Sequence, residues 1–169
     1  MITLNKFRPM KSATPTEAEL QALPWPMWGS PKIDGIRCVI HPSLGPVTNT
    51  LKSIPNSYVR DYLNKAPAQY LDGELVVGEP SNPKSFHATT SGIMSFAGEP
   101  NFTYLVFDDF SAGNTCGFGI RKEDARERVE RCADSRIQFL EQVLLHSYED
   151  MLGYEEMCVG MGYEGVMLR

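Results

Sequence analysis

The sequence predicts an α+β domain of antiparallel sheets flanked by helices, and three observations point to this class. The chain has 169 residues, which suits a single domain. Hydrophobic residues make up 42% and charged residues 22%, the composition of an ordinary globular protein with a buried core. Strand and helix patterns follow one another without a strict strand–helix–strand repeat, which favours antiparallel sheets.

Five segments show the alternating or continuous apolar pattern of β-strands. The first contains Asp34-Gly35, a frequent turn pair, and therefore predicts two strands. In the second, the two-residue period places Asp72 and Glu74 on the same strand face. The five segments are residues 27–40, 70–77, 102–110, 137–145 and 163–169.

Four segments show helical spacing of apolar residues. Asn56 is a suitable N-cap for a helix that reaches residue 65, and residues 85–95 predict a second short helix. Residues 122–132 predict an amphipathic helix with Ala125, Val129 and Cys132 facing inward. Ser147 and Asp150 resemble a capping box at the start of a helix that extends to about residue 161.

Composition and charge exclude several classes of protein. Apolar runs stay well short of the ~20 residues of a membrane span, and residues 1–10 lack the apolar stretch of a signal peptide, so we expect a cytoplasmic protein. The four cysteines are scattered, which argues against a disulfide scaffold or a zinc ribbon. The net charge of −5 argues against nucleic-acid binding, but residues 1–60 carry +4 and residues 61–169 carry −9.

Lys32 is the first candidate for chemistry, in the segment Lys32-Ile33-Asp34-Gly35-Ile36-Arg37. Nearby positive charge or burial makes a lysine amine a better nucleophile, because attack requires the neutral form. A lysine at a turn is otherwise an ordinary solvated surface charge.

Three further segments contain candidate binding residues. Asp72-Gly73-Glu74 presents two carboxylates suited to a metal ion or a ribose hydroxyl, or simply a solvated sheet face. Phe107 ends a buried strand, where it could stack on a purine or belong to the core. Glu164 precedes Gly165 at a strand start, a position that is equally typical of a turn.

Taken together, these segments resemble the covalent nucleotidyltransferase superfamily. Lys-x-Asp-Gly-x-Arg, Asp-Gly-Glu, Phe107-Asp108 and Glu-Gly-Val-Met-x-Arg occur in the order and spacing of small viral and bacteriophage ATP-dependent DNA ligases. Residues 86–94 are also similar to a stretch of those ligases. The resemblance covers residues 27–169 and implies an ATP-grasp-like adenylation domain over residues 1–169.

The resemblance also implies a role for each matching residue. Lys32 would attack the α-phosphorus of ATP and hold AMP as a phosphoramidate, and Arg37 would bind the ribose or the nick phosphate. Glu74 would contact the ribose or a metal ion, Phe107 would stack on adenine, and Glu164 would help to bind the metal. The residues implied for ATP are Lys32, Ile33, Arg37, Glu74, Phe107 and Glu164, with Glu74 and Glu164 as ligands of Mg²⁺.

AMP would then pass to the 5′-phosphate of nicked double-stranded DNA before the phosphodiester forms, in DNA replication, repair or recombination. We expect a monomer without a membrane partner. Two departures from the family pattern stand out. Asn49 occupies a position where an arginine for the nick phosphate is expected. The Lys-x-Lys motif and the oligonucleotide-binding barrel do not follow Arg169, so we expect this chain to be adenylylated slowly and not to seal a nick.

Two alternatives remain. An RNA ligase or an mRNA-capping guanylyltransferase would share most of these motifs, although Glu-Gly-Val-Met-x-Arg favours a DNA ligase. A non-catalytic remnant that keeps only a nucleotide or DNA surface would share them as well.

Overall fold

The structure is a computed structural model that describes residues 7–113 and 115–169. These residues form two sheets and five helices. Residues 1–6, part of the segment on which the signal-peptide prediction depends, lie outside these ranges. The helices are α1 (Glu17–Gln21), α2 (Ser57–Lys65), α3 (Ser85–Ile93), α4 (Phe118–Cys132) and α5 (Tyr148–Gly160). Among the described residues, no helix combines the length and apolar character needed to cross a bilayer.

The larger sheet has five strands in the order β3-β2-β4-β5-β6. Three of its four pairings are antiparallel, as predicted, but β5 and β6 run parallel. A parallel pair requires a crossover, and α4 supplies it between these two strands. The strands are β2 (Ile36–His41), β3 (Gly45–Val47), β4 (Leu71–Val77), β5 (Phe102–Asp109) and β6 (Ile137–Phe139).

The smaller sheet has three antiparallel strands in the order β7-β1-β8, and α5 packs against it. Its strands are β1 (Met27–Pro31), β7 (Val143–Leu145) and β8 (Val166–Leu168). The turn at Asp34-Gly35 therefore carries the chain from the small sheet to the large one.

The main hydrophobic core lies between the large sheet and helices α2, α3 and α4. Leu71 and Leu75 of β4, Tyr104 of β5 and Ile93 of α3 are fully buried in it. Helix α2 starts where its sequence predicts, because the Asn56 side chain accepts a hydrogen bond from the Val59 amide at 2.9 Å. The Ser147 hydroxyl likewise accepts from the Asp150 amide at the start of α5.

The predicted single strand over residues 137–145 is wrong, because β6 and β7 belong to different sheets. The chain leaves the large sheet after the Leu140 amide donates to the Val106 carbonyl at 2.7 Å. The Gln142 amide side chain then donates to the Phe107 carbonyl at 2.9 Å, which fixes the crossing segment between the sheets.

For the helix predicted over residues 122–132, the predicted start is also wrong, because this helix, α4, begins at Phe118. Gly119, in the first turn of α4, lies against Trp28, because a β-carbon there would be 3.4 Å from the indole Nε1. The Lys122 ammonium lies 4.2 Å from the centre of the Trp28 ring, so this face of the helix is buried by a cation–π contact.

Candidate functional site

Lys32 and Glu164 meet at the end of the small sheet. Pro31 of β1 pairs with Val166 of β8, and the Lys32 amide donates to the Gly165 carbonyl at 2.9 Å. This register brings the Lys32 ammonium into a hydrogen-bonded ion pair with the Glu164 carboxylate, although 132 residues separate them in sequence. The two side chains are 45% and 44% exposed, so a molecule approaching from solvent can reach them.

The turn that follows Lys32 brings the two sheets close together. A β-carbon on Gly35 would lie 2.5 Å from the Leu75 carbonyl oxygen and 2.6 Å from Cγ of Glu74, so only glycine fits this approach. Partial burial and the nearby Glu164 carboxylate raise the pKa of Asp34, while Lys32 opposes that rise. Asp34 therefore adds a second carboxyl group beside that of Glu164.

Arg37 and Asp72 form a bidentate ion pair across strands β2 and β4. Nε and Nη2 of Arg37 donate to the two Asp72 oxygens at 3.0 and 2.6 Å, and Nη1 donates to the Met10 carbonyl. Burial raises the pKa of Asp72 against the opposing pull of Arg37. Burial is the largest single influence on Arg37 and opposes its charge, but the hydrogen bonds and the charge of Asp72, together with the nearby carboxyl groups of Glu74 and Asp108, raise the pKa of Arg37 overall.

Glu74 lies half-buried on β4, opposite Arg37 in the strand register. Burial raises its pKa to about 8, and the positive charges of Arg37 and Arg169 only partly offset that rise. A protonated carboxyl group at neutral pH can donate a hydrogen bond as well as accept one. Glu74 can therefore bind a hydroxyl group in either direction.

Phe107 lies in a second, smaller apolar cluster between the two sheets. Val76, Leu105 and Leu140 are buried with it, and Ile33 packs against the group. The phenyl ring is covered on another side by the Arg169 guanidinium, whose Cζ lies 4.4 Å from the ring centre. Phe107 as a whole is only 7% exposed.

Arg169 is held by fewer partners than Arg37. Its Nη1 donates to the Ser30 hydroxyl at 2.9 Å, and its backbone exchanges hydrogen bonds with Trp28 at 2.9 and 2.8 Å. Burial lowers the pKa of Arg169 to about 10, against the opposing pull of Asp108 and Asp72. The guanidinium is thus a partly buried cation that faces the aromatic ring.

The structure groups the predicted site residues into two sets. Lys32 and Glu164 form one set, and Arg37, Glu74 and Phe107 line the large sheet beside it, with Ile33 between them. Asn49 lies apart in an exposed turn that the Thr48 amide closes by donating to the Lys52 carbonyl at 2.8 Å.

The sequence analysis names Asp72 only as one of two candidate carboxylates on one strand face, and it assigns no chemical role to Asp34 or Arg169. The pairing of Asp72 with Arg37 was not predicted, although a part-buried arginine on one strand calls for a carboxylate on its neighbour. No local signal identifies Arg169 as a partner of Phe107, since their contact joins two different sheets.

The carboxylates suit a phosphate-bound Mg²⁺ better than a protein-built metal cage. Within residues 7–113 and 115–169, no cluster of three or more His, Cys, Asp or Glu side chains could hold a metal ion. Mg²⁺ usually takes one or two carboxylates together with water and substrate phosphates. The half-exposed Glu164 carboxylate fits that role, whereas Glu74, whose pKa is raised, fits a hydroxyl group better.

Two surface cavities, of about 270 and 470 Å³, are lined by none of these residues. The first lies beside the β2–β3 turn and the second between α1 and the start of α5.

Comparison with known proteins finds matches among solved structures. No protein-family model and no curated protein matches the sequence. Two crystal structures of Chlorella virus DNA ligase-adenylate superpose with a TM-score of 0.80 at 26% and 27% identity. Each covers 96% of this chain, which spans 60% and 59% of the viral chains.

The ATP-dependent DNA ligase from bacteriophage T7, solved in complex with ATP, has a TM-score of 0.64 and 14% identity. The match covers 96% of this chain and 63% of the T7 ligase chain. At 14% identity, this similarity shows the fold alone. The chain therefore has the nucleotidyltransferase fold of ATP-dependent DNA ligases, and it resembles the small viral members of that family.

Proposed function

We propose that this chain is a DNA ligase adenylation domain, in which Lys32 takes AMP from ATP and passes it to the 5′-phosphate of a DNA nick. The observation that carries the proposal is the accessible Lys32–Glu164 pair beside the buried wall of Arg37, Glu74 and Phe107. A reactive amine next to an aromatic and polar wall is what covalent nucleotidyl transfer requires.

Lys32 must lose a proton before it can attack, because only the neutral amine has a free electron pair. The Glu164 carboxylate accepts a hydrogen bond from Nζ, which supports a role for it as the acceptor of that proton. A bond then forms between Nζ and the α-phosphorus, the bond from that phosphorus to the bridging oxygen breaks, and pyrophosphate leaves with its electron pair.

In the second step, an oxygen of the nick 5′-phosphate attacks the α-phosphorus, and the phosphorus–nitrogen bond breaks to release Lys32. In the third step, a 3′-hydroxyl attacks the 5′-phosphate and expels AMP. Mg²⁺ held by Glu164 and the substrate phosphates would neutralise charge during in-line transfer.

The buried wall would bind the nucleoside of ATP. In this proposal Glu74 would hydrogen-bond a ribose hydroxyl, and Phe107 would supply an aromatic platform for adenine. A ribose or nick-phosphate oxygen bound by Arg37 would have to compete with Met10 or Asp72, because three of the guanidinium N–H groups are already used.

The test is covalent labelling with ATP that carries ³²P at the α-position, in the presence of Mg²⁺, followed by mass spectrometry of the labelled peptide. We expect one lysyl-AMP adduct, on Lys32, that disappears in Lys32→Ala and in Lys32→Arg, whose guanidinium stays protonated. Lys65→Ala, which changes a lysine at the end of α2, is the matched control and should label normally.

Label on another lysine, or unchanged label in Lys32→Ala, would contradict the assignment of the nucleophile. Labelling by GTP in preference to ATP would identify a capping-type enzyme. Nucleotide binding without any label would identify a non-catalytic module.

A further inference from the structure

The ring proposed to stack on adenine has no free face. Phe107 is 7% exposed, with the apolar side chains of Val76, Leu105 and Leu140 packed around it and the Arg169 guanidinium 4.4 Å from its centre. A stacked purine needs one whole face of the phenyl ring. Some group must therefore move before a base can stack there.

Two guanidinium groups approach the ring, and they differ in how firmly they are held. The Cζ of Arg37 lies 5.7 Å from the ring centre, and Arg37 is fixed by two bonds to Asp72 and one to Met10. Arg169 lies closer, yet within residues 7–113 and 115–169 its side chain makes a single hydrogen bond, to the Ser30 hydroxyl.

The acidic groups that could have fixed Arg169 are engaged elsewhere. Asp72 is taken by Arg37, and Asp108 accepts from Nε and Nη2 of Arg121 at 2.9 and 3.0 Å. Among the described residues, no carboxylate lies within 4.0 Å of the Arg169 guanidinium. A partly buried cation without a carboxylate is poorly compensated, so the side chain can leave at modest cost.

The backbone confines this movement to the side chain. Arg169 and Trp28 exchange two backbone hydrogen bonds, so the strand stays in register when the guanidinium swings away. The apolar groups on the other side of the ring are core residues, and moving them would open a cavity.

We propose that Arg169 gates the nucleotide site: its guanidinium occupies the base-binding face of Phe107 in the free protein, and the purine displaces it. This inference rests on the proposed function, because it assumes that Phe107 receives the base of ATP. Arg169 is accordingly a residue that opposes binding, since the closed state reduces the apparent affinity by the fraction of molecules that are open.

The test measures ATP binding in a Lys32→Ala background, so that chemistry does not follow binding. Titration calorimetry compares this protein with versions that also carry Arg169→Ala or Arg169→Gln. Removing the guanidinium should tighten ATP binding roughly tenfold, and Arg169→Gln should act in the same direction. Arg131→Ala, which removes an exposed arginine of α4, is the matched control and should leave the affinity unchanged.

Two further readouts separate a gate from a structural role. Stopped-flow tryptophan fluorescence should give a binding rate that reaches a plateau with ATP concentration when Arg169 is present, because opening precedes binding. The plateau should disappear in Arg169→Ala. In a Phe107→Leu background, Arg169→Ala should change the ATP affinity less than twofold, since no stacking face is left to expose.

Weaker or unchanged ATP binding in both Arg169 variants would overturn the gate. Weaker binding of inorganic tripolyphosphate in those variants would assign Arg169 to the phosphates instead. The proposed function fails separately, if ATP binds and Lys32 in the otherwise unchanged chain acquires no label.

Discussion

The two sheets contribute different properties to the candidate site. The large sheet holds Arg37, Asp72 and Phe107, which are mostly buried and fixed by bidentate or apolar contacts. The small sheet places Lys32 and Glu164 beyond the ends of short strands, where both are nearly half exposed. The groups proposed to bind ATP are thus part of the folding core, while the pair proposed to react stands outside it. Changes in the large sheet should therefore alter stability, and changes in the pair should alter chemistry.

The largest effect is expected for Asp72→Ala, which leaves the part-buried Arg37 charge without its carboxylate. We expect the free energy of unfolding to fall by about 3–5 kcal/mol, measured by urea denaturation at pH 7. Glu127→Ala breaks an exposed ion pair of α4 and is the control, with an expected change of at most about 0.5 kcal/mol. Equal effects of the two substitutions would remove the contrast between buried and exposed charges.

The next effect concerns pH and Glu74. The folded protein keeps a proton on Glu74 up to about pH 8, whereas the unfolded chain releases it near its ordinary value of 4.5. The unfolded state therefore binds fewer protons between those values, and stability falls as pH rises through this window. Between pH 5 and 8, the titration of Glu74 should lower the free energy of unfolding by at most about 3 kcal/mol.

Glu74→Gln removes this titrating group while keeping its shape. We expect the variant to lose stability less steeply than the wild type between pH 5 and 8, measured by urea denaturation at several pH values. Identical slopes in the two proteins would show that Glu74 titrates normally in the folded state.

A smaller loss of stability is expected for Phe107→Leu. A leucine keeps most of the apolar contacts with Leu105 and Leu140, so unfolding should become easier by about 1 kcal/mol. Loss of the aromatic face should weaken ATP binding roughly tenfold to a hundredfold, measured by calorimetry. A stable variant with normal ATP affinity would mean that the base lies elsewhere.

Glu164→Gln should have the smallest effect on folding and a large one on chemistry. The pair with Lys32 is exposed, so we expect the melting temperature to stay nearly unchanged. Loss of the proton acceptor should slow lysyl-AMP formation by about 10²–10⁴-fold, measured by labelling at early times. A clear drop in melting temperature with normal labelling would reverse the roles assigned to the two sheets.

Local chemistry explains which parts of the fold the sequence predicted well. The caps of α2 and α5 depend on Asn56 and Ser147 and their own neighbours, so they could be identified directly. The break between β6 and β7 could not, because it depends on bonds from residues 140–142 to Val106 and Phe107 of a distant strand.

The candidate site divides in the same way. The residues proposed for ATP were chosen through ordered motifs, and their roles stay predictions. Motifs could not reveal that Arg169 covers Phe107 or that Met10 binds Arg37, since both contacts join segments that meet only after folding.

The pairing of β1 with β8 also has a kinetic consequence. Lys32 and Glu164 are separated by 132 residues, and the strands next to them, β1 and β8, pair across nearly the whole length of the chain. Contacts of such sequence separation form slowly, because the entropy of closing the intervening loop must be overcome first. Most of the large sheet can form earlier, since β2, β3, β4 and β5 are neighbours along the chain. A refolding chain should therefore regain most of its secondary structure before the Lys32–Glu164 ion pair forms.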